Sequence, residues 1–199
     1  MNSAKDGVIL LIAGVSGAGK STLVLNLQKK AKKNSNIRCV ETSTVLKTAS
    51  RNKKLPKEMR EGIINAMSKG DYFPEEEVAK LVLADCKNHK NIILSGMRGA
   101  KALQYFHTQR PIAAVITLKV DRNIALARMA QQEQREDSGS ERVRNNRYKK
   151  SKSKLSEATR DAKALGIPVV EIRASGSEKE VAREVVKQIH EKLGLELFV

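Results

Sequence analysis

The chain has 199 residues and a formal net charge of +16, with 38 Lys and Arg against 22 Asp and Glu. This length suits a single domain, and the longest apolar run is too short to span a bilayer, so we expect no membrane partner. The positive charge favours polyanionic partners, whether nucleotides or nucleic acid. Cys39 and Cys86 stand far apart without a metal-binding or redox spacing, which predicts two free thiols in a reducing, cytoplasmic compartment.

The first predicted elements enclose a glycine-rich loop. Residues 8–12 are apolar throughout, as in a parallel strand that is buried on both faces, and a helix is predicted over about 21–32. Between them the chain reads G-x-x-x-x-G-K-S, the P-loop motif, in which backbone N–H groups and a helix N-terminus converge on phosphate groups. The predicted nucleotide-binding residues are Gly14, Gly17, Ala18, Gly19, Lys20, Ser21 and Thr22.

Two side chains of this loop carry the predicted chemistry. Lys20 would reach the β- and γ-phosphates of a nucleoside triphosphate, and Ser21 would offer its hydroxyl to Mg²⁺. ATP and Mg²⁺ are therefore the expected cofactors. The loop alone does not distinguish a kinase from a protein that only hydrolyses its nucleotide.

The rest of the chain alternates predicted strands with predicted helices. Strands are expected at 37–40, 91–95, 113–120 and 169–172, and helices at about 43–50, 57–69, 74–88, 100–107, 123–134, 141–165 and 178–193, the last behind a Ser177–Glu180 capping box. This alternation predicts an α/β, three-layer P-loop NTPase fold, with a central parallel five-stranded sheet and helices on both faces. Ligands of such sheets bind at the carboxyl ends of the strands, where Glu41, Ser95 and Asp121 fall.

Three later segments, in this order behind a P-loop, resemble the nucleoside monophosphate kinases, and most of all the adenylate kinases with a short lid. They are Met67–Glu76, Ile92–Arg98, and the set formed by Arg128, Arg135-Glu136-Asp137 and Arg147-Tyr148. The resemblance implies one P-loop kinase domain over residues 1–199, with an acceptor-binding helical segment at about 43–88 and a lid at about 129–146. It also implies ATP-dependent phosphoryl transfer to a nucleoside or deoxynucleoside monophosphate.

The resemblance assigns roles to individual cations. Arg98 would hold the acceptor phosphate, and Lys47 stands where the family has an acceptor-helix arginine. Arg128 would lie beside the donor nucleotide, while Arg135 and Arg147 would cover the transferring group when the lid closes. Further lid candidates are Asp137, as an orienting carboxylate, and Arg142. Such a reaction depends on positioning and charge, and an anionic acceptor oxygen needs no general base.

Several positions depart from the family pattern. Ser95 replaces the aspartate that helps to hold hydrated Mg²⁺, and Ala102 replaces the glutamine that reads adenine. Lys47 cannot form the bidentate fork of an arginine, and Gln132 replaces a second lid arginine. The acceptor base and sugar therefore stay open, as does the carboxylate that supports Mg²⁺.

Two alternatives compete with this interpretation. Glu41, at the end of the second predicted strand, would act as a base if the acceptor were a small-molecule hydroxyl. The segment from Arg142 to Lys154 holds seven basic and no acidic residues, which is also compatible with a nucleic-acid-associated P-loop NTPase. Because aromatic residues for base stacking are nearly absent, we expect most of these side chains to be solvated surface. The sequence leaves a monomer and a dimer equally open.

Overall fold

The computed structural model describes residues 7–69, 73–96, 99–131 and 140–199, with only the backbone of residue 69. The strands are β1 (Ile9–Gly14), β2 (Ile37–Glu41), β3 (Asn91–Ser95), β4 (Ile112–Lys119) and β5 (Val169–Arg173). The helices are α1 (Lys20–Lys30), α2 (Thr42–Arg51), α3 (Lys57–Lys69), α4 (Glu75–Asp85), α5 (Ala100–Gln109), α6 (Arg122–Gln131), α7 (Glu141–Ala164) and α8 (Glu178–Leu193).

The strands of the described residues form one parallel sheet in the order β2-β3-β1-β4-β5. The central strand, β1, pairs with β3 on one side and with β4 on the other. Its first four residues are buried, because helices cover both faces of the sheet. A continuous apolar run, rather than an alternating one, is the pattern that such a strand requires.

Two hydrophobic layers flank the sheet. Leu10 and Ile12 of β1 pack with residues of α1 and α8 on one face. Ile9 and Leu11 pack with residues of α2, α4, α5 and α7 on the other face. The predicted three-layer P-loop NTPase fold is confirmed. None of the helices within the described ranges combines the length and the apolarity that crossing a bilayer requires.

Most element boundaries lie within one or two residues of their predicted positions, and the predicted capping box at Ser177 and Glu180 is present. The prediction for α4 is wrong at its C-terminus, since the helix ends at Asp85 and not near residue 88. The following residues make a turn in which the His89 N–H donates to the Cys86 carbonyl, and this turn leads the chain into β3. The predicted end of α6 near residue 134 lies outside the described residues.

The connections of the sheet create a crevice at the carboxyl ends of β1 and β3. Helix α1, which follows β1, belongs to one hydrophobic layer, whereas α5, which follows β3, belongs to the other. Because the connections that follow β1 and β3 lead to opposite faces of the sheet, a space opens between these connections. This crevice contains the P-loop.

Candidate functional site

The P-loop backbone depends on glycine at two positions. Gly17 has a φ of 80° and Gly19 a φ of 85°, in the left-handed region that other residues rarely adopt. A Cβ at residue 17 would also overlap the carbonyl of Ala125, because α6 packs directly against the loop. The first of these glycines therefore permits both the turn and the close approach of a helix.

Lys20 and the start of α1 face the interior of this loop. The Lys20 ammonium donates to the carbonyls of Gly14 and Val15, each at 2.9 Å, so the charge stays above the loop. Gly19 precedes α1 without a side-chain cap, and the first turn contains no acidic residue. This end of α1 therefore has no side-chain cap, and a helix N-terminus of this kind favours an anion.

A cleft of ≈ 520 Å³ opens beside the loop, and we call it the P-loop cleft. The loop and the first turn of α1 form one wall. The other wall comes from β2, α2, α3 and α7, through Glu41, Thr42, Ser43, Leu46, Met67 and Arg147. The cleft therefore combines a phosphate-binding backbone with a carboxylate, two hydroxyls and a guanidinium on the opposite side.

Glu41 places a carboxylate at the end of β2. The neighbouring strand β3 ends at Ser95, where the family pattern has an aspartate. Glu41 is in register with Ser95, and both line the P-loop cleft. Its Oε1 atom is buried and accepts no hydrogen bond from the described residues. The Thr42 hydroxyl donates to the Ser95 carbonyl at 3.1 Å, which ties the ends of the two strands together. A buried acceptor without a hydrogen bond from the described residues is thus present in the cleft that Lys20 also lines.

Arg128 lies on the other side of the P-loop. Its guanidinium donates to the carbonyls of Ala174 at 2.9 Å and Gly176 at 3.3 Å, in the connection between β5 and α8. Its Nη1 atom lies 3.9 Å from the place that a Cβ on Gly19 would occupy. The planar group is therefore held beside the loop by the backbone of another element.

Arg147 reaches the P-loop cleft from α7, and a buried serine on that helix holds the loop itself. The Ser16 N–H donates to the Ser151 hydroxyl at 2.9 Å, and this hydroxyl donates to the Tyr148 carbonyl at 2.9 Å. The sequence analysis missed Ser151. Its signal was the spacing of Ser151, Ala158 and Ala162, which recur on one face of a helix that is otherwise polar.

The structure separates other predicted residues from this site. Lys47 is exposed on α2, and Arg142 is exposed in the first turn of α7, and neither lines the P-loop cleft. Helical periodicity explains the exposure of Lys47. Adjacent residues of a helix point in different directions, so Leu46 lines the cleft while Lys47 faces solvent. Arg98, Arg135 and Asp137 lie outside the described residues.

The comparisons with known proteins agree with this geometry. No curated protein matches the chain. A family model described as "AAA domain" matches residues 13–144, which is more than half of the chain. The matched range contains the P-loop, Glu41 and Arg128. The chain therefore belongs to the AAA domain family and carries a nucleotide-binding domain of the P-loop kinase-like type.

Proposed function

We propose that the protein transfers the γ-phosphoryl group of ATP to the phosphate of a nucleoside or deoxynucleoside monophosphate. The observation that carries this proposal is the P-loop cleft, whose two walls serve a donor and an acceptor. A triphosphate bound along the loop would share this cleft with the wall formed by α2 and α3. An acceptor against that wall meets the terminal phosphate of the donor, so binding supplies the alignment that the reaction needs.

The chemistry balances without a general base. An oxygen of the acceptor phosphate forms a bond to the γ-phosphorus, the bond to the bridging oxygen of ADP breaks, and ADP leaves. Lys20 and the first turn of α1 stabilise charge on the donor phosphates, while Arg147 contributes a guanidinium from the opposite wall. By resemblance, Arg98 would hold the acceptor phosphate, and Arg135 would cover the transferring group when the lid closes.

The residues of the P-loop cleft also fit Mg²⁺. Ser21 lines the cleft with a hydroxyl, and the buried Oε1 atom of Glu41 has no hydrogen-bond donor among the described residues. Hard oxygen ligands and bound water are what this cation prefers. When bound, Mg²⁺ would neutralise charge on the donor phosphates. Glu41 would then take the place of the aspartate that is Ser95 in this chain.

A second candidate function rests on the same carboxylate. If the acceptor is a hydroxyl, its proton must leave, and the unsatisfied oxygen of Glu41 is an acceptor inside the P-loop cleft. The product would be a phosphate monoester rather than a nucleoside diphosphate. The two functions therefore differ in what Glu41 does.

An assay of ADP release tests the proposed function. ATP and Mg²⁺ are supplied with a panel of ribo- and deoxynucleoside monophosphates, with nucleosides and sugars as hydroxyl acceptors, and with a blank that lacks any acceptor. We expect stimulation by one or a few monophosphates, and its loss in Lys20→Ala and Arg98→Ala. A response only to hydroxyl acceptors would establish the second function, and turnover equal to the blank would contradict both.

Glu41→Gln then separates the two roles of this carboxylate. If Glu41 supports Mg²⁺, the variant has weakened affinity for Mg²⁺ with ATP, and excess Mg²⁺ or a compensating Ser95→Asp change restores activity. If Glu41 is a base, neither treatment restores activity, because the amide of the variant cannot take the proton of the acceptor hydroxyl. Fluorescence of a labelled ATP analogue, titrated with Mg²⁺, reports the binding step without turnover.

A further inference from the structure

A second concavity lies on the other side of α7 from the P-loop cleft. This groove of ≈ 1030 Å³ runs between α7 and the ends of β4 and β5, and we call it the α7 groove. Adjacent residues separate the two spaces, since Val15 lines the groove and Ser16 lines the cleft. Likewise Tyr148 lines the groove and Arg147 lines the cleft. Apart from Val15, whose carbonyl accepts a hydrogen bond from Lys20, the proposed phosphoryl transfer uses none of the residues that line the groove.

The α7 groove has an excess of positive charge. Its cations are Lys119, Lys152, Arg160, Lys163 and Arg173, against the carboxylates Asp121 and Glu171. Lys119 pairs with Glu171 at 3.0 Å, and Arg160 pairs with Asp161 at 3.2 Å. The remaining cations, Lys152, Lys163 and Arg173, make no ion pair within the described ranges and are exposed. Three charges are therefore directed at solvent along one concave surface.

These cations are spread over a length that one phosphate group cannot span. Lys152 and Lys163 are eleven residues apart in α7, which places them about 16 Å apart along the helix axis. A stacked nucleic-acid strand advances about 3.4 Å per phosphate, so this distance corresponds to roughly five nucleotides. Arg173 extends the charge from the helix to the edge strand β5. The spacing thus matches a chain of phosphates better than a free nucleotide.

The lining between the charges suits bases. Tyr148 is half-buried in the α7 groove, and the half-buried aliphatic side chain of Leu155 lines the same surface. Proteins that hold single strands without sequence preference combine a basic groove with an aromatic face for stacking. A duplex keeps its bases stacked internally and offers this lining nothing to bind. The combination therefore favours a single strand.

We propose that the α7 groove binds single-stranded nucleic acid, with phosphates on Lys152, Lys163 and Arg173 and a base against Tyr148. The inference goes beyond the proposed function and does not depend on it. It also revises the expectation from sequence, because two of the three cations, Lys163 and Arg173, lie outside the basic segment from Arg142 to Lys154. The structure distributes that segment around α7, with Arg147 in the P-loop cleft and Lys152 in the α7 groove.

Fluorescence anisotropy of labelled oligouridylate and oligothymidylate tests the proposal on the full chain at rising KCl concentrations. The variant replaces Lys152, Lys163 and Arg173 together with alanine. Since each phosphate contact with a single strand contributes about 0.7 to the slope of log affinity against log salt, we expect this slope to fall by about 2. Affinity at low salt should fall at least about tenfold. Tyr148→Phe should retain binding that Tyr148→Ala weakens.

The matched control replaces Lys33, Lys53 and Lys54 with alanine, which removes the same charge from exposed positions outside the α7 groove. This control should keep the wild-type salt slope. An equal loss in both variants would show that only net charge matters, and absence of wild-type binding would also overturn the proposal. Tighter binding of duplex DNA or of vesicles with anionic lipids would assign the surface to another ligand. Acceptor-dependent ADP release, measured in parallel, shows whether the proposed function holds independently.

Discussion

The P-loop cleft and the α7 groove share a wall, formed by the P-loop and α7, but are built from different parts of the chain. In the cleft, the groups that would bind an anion are chiefly backbone N–H groups of the loop and of the first turn of α1, which has no side-chain cap. Two left-handed glycines determine their directions. In the groove, the charge stands on long side chains spaced along one helix. Anion binding in the cleft would therefore depend on the path of the backbone, whereas anion binding in the groove would depend on the sum of separate side-chain charges.

The largest expected effect separates the two regions functionally. In the proposed reaction Lys20 would bind the transferring phosphates, so Lys20→Ala should lower phosphoryl transfer about 10³-fold. Nucleic-acid affinity should stay within about twofold, because a separate set of cations carries it. The triple alanine variant at Lys152, Lys163 and Arg173 should show the reverse pattern. Single-turnover kinetics and anisotropy measure both quantities, and parallel losses would contradict the separation.

The second test concerns the backbone of the P-loop cleft. Gly17→Ala should lower the free energy of unfolding by about 3 kcal/mol or more, since left-handed strain adds to an overlap with the Ala125 carbonyl. Gly166→Ala is the matched control, because Gly166 has a φ of 70° and nothing within 4 Å of the added Cβ. This control should lose only about 1 kcal/mol. Urea denaturation followed by circular dichroism compares them, and equal losses would rule out the overlap.

The third test concerns the shared wall. Ser151→Ala leaves the Ser16 N–H without its acceptor, so the free energy of unfolding should fall by about 1–2 kcal/mol. The affinity for ATP should weaken with it, because the loop loses its contact with α7. Ser153→Ala is the control, since that exposed hydroxyl contacts only Glu157 among the described residues and its loss should cost less than about 0.5 kcal/mol. Unchanged ATP affinity in Ser151→Ala would mean that α7 does not support the loop.

The smallest expected effect is a change in thiol reactivity, which tests whether the triple alanine variant of the α7 groove keeps its fold. Burial raises the pKa of the Cys39 thiol to about 12 and, together with the Asp85 charge, the pKa of Cys86 to about 11. Both thiols should therefore react slowly with a disulfide reagent at about pH 8 and much faster after denaturation. Since folding raises these pKa values above 9.0, the thiols contribute stability below that pH and lose it as the pH rises toward 11 and 12. Rapid reaction in the triple variant alone would reveal damage to the core.

Much of the fold followed from local patterns in the sequence. The apolar run of β1 and the alternation of strands with helices predicted the three layers, and the Ser177–Glu180 capping box was predicted in full. These features depend on residues close together in the chain. The end of α4 was misplaced because the turn at Cys86 competes with a sequence that still favours a helix.

For the candidate site, the sequence identified the residues of the P-loop but not their neighbours. The resemblance predicts that Lys47 serves the acceptor; the structure shows this side chain exposed on α2 and outside the lining of the P-loop cleft, and its role stays a prediction. The sequence analysis missed Ser151, whose partner Ser16 is far away in the chain. It placed Glu41 and Ser95 at the carboxyl edge of the sheet, but only the pairing of β2 with β3 puts them side by side.

The sequence by itself determined a positively charged chain, a P-loop and the order of strands and helices, because composition, glycine conformation and hydrophobic periodicity act locally. Only the tertiary structure decided the strand order β2-β3-β1-β4-β5 and the neighbours of Glu41. It also decided that α7 separates a nucleotide-sized cleft from a basic groove. The physical reason is that strand pairing and helix packing join segments that are remote in the chain, and their choice depends on burying both faces of the sheet at once.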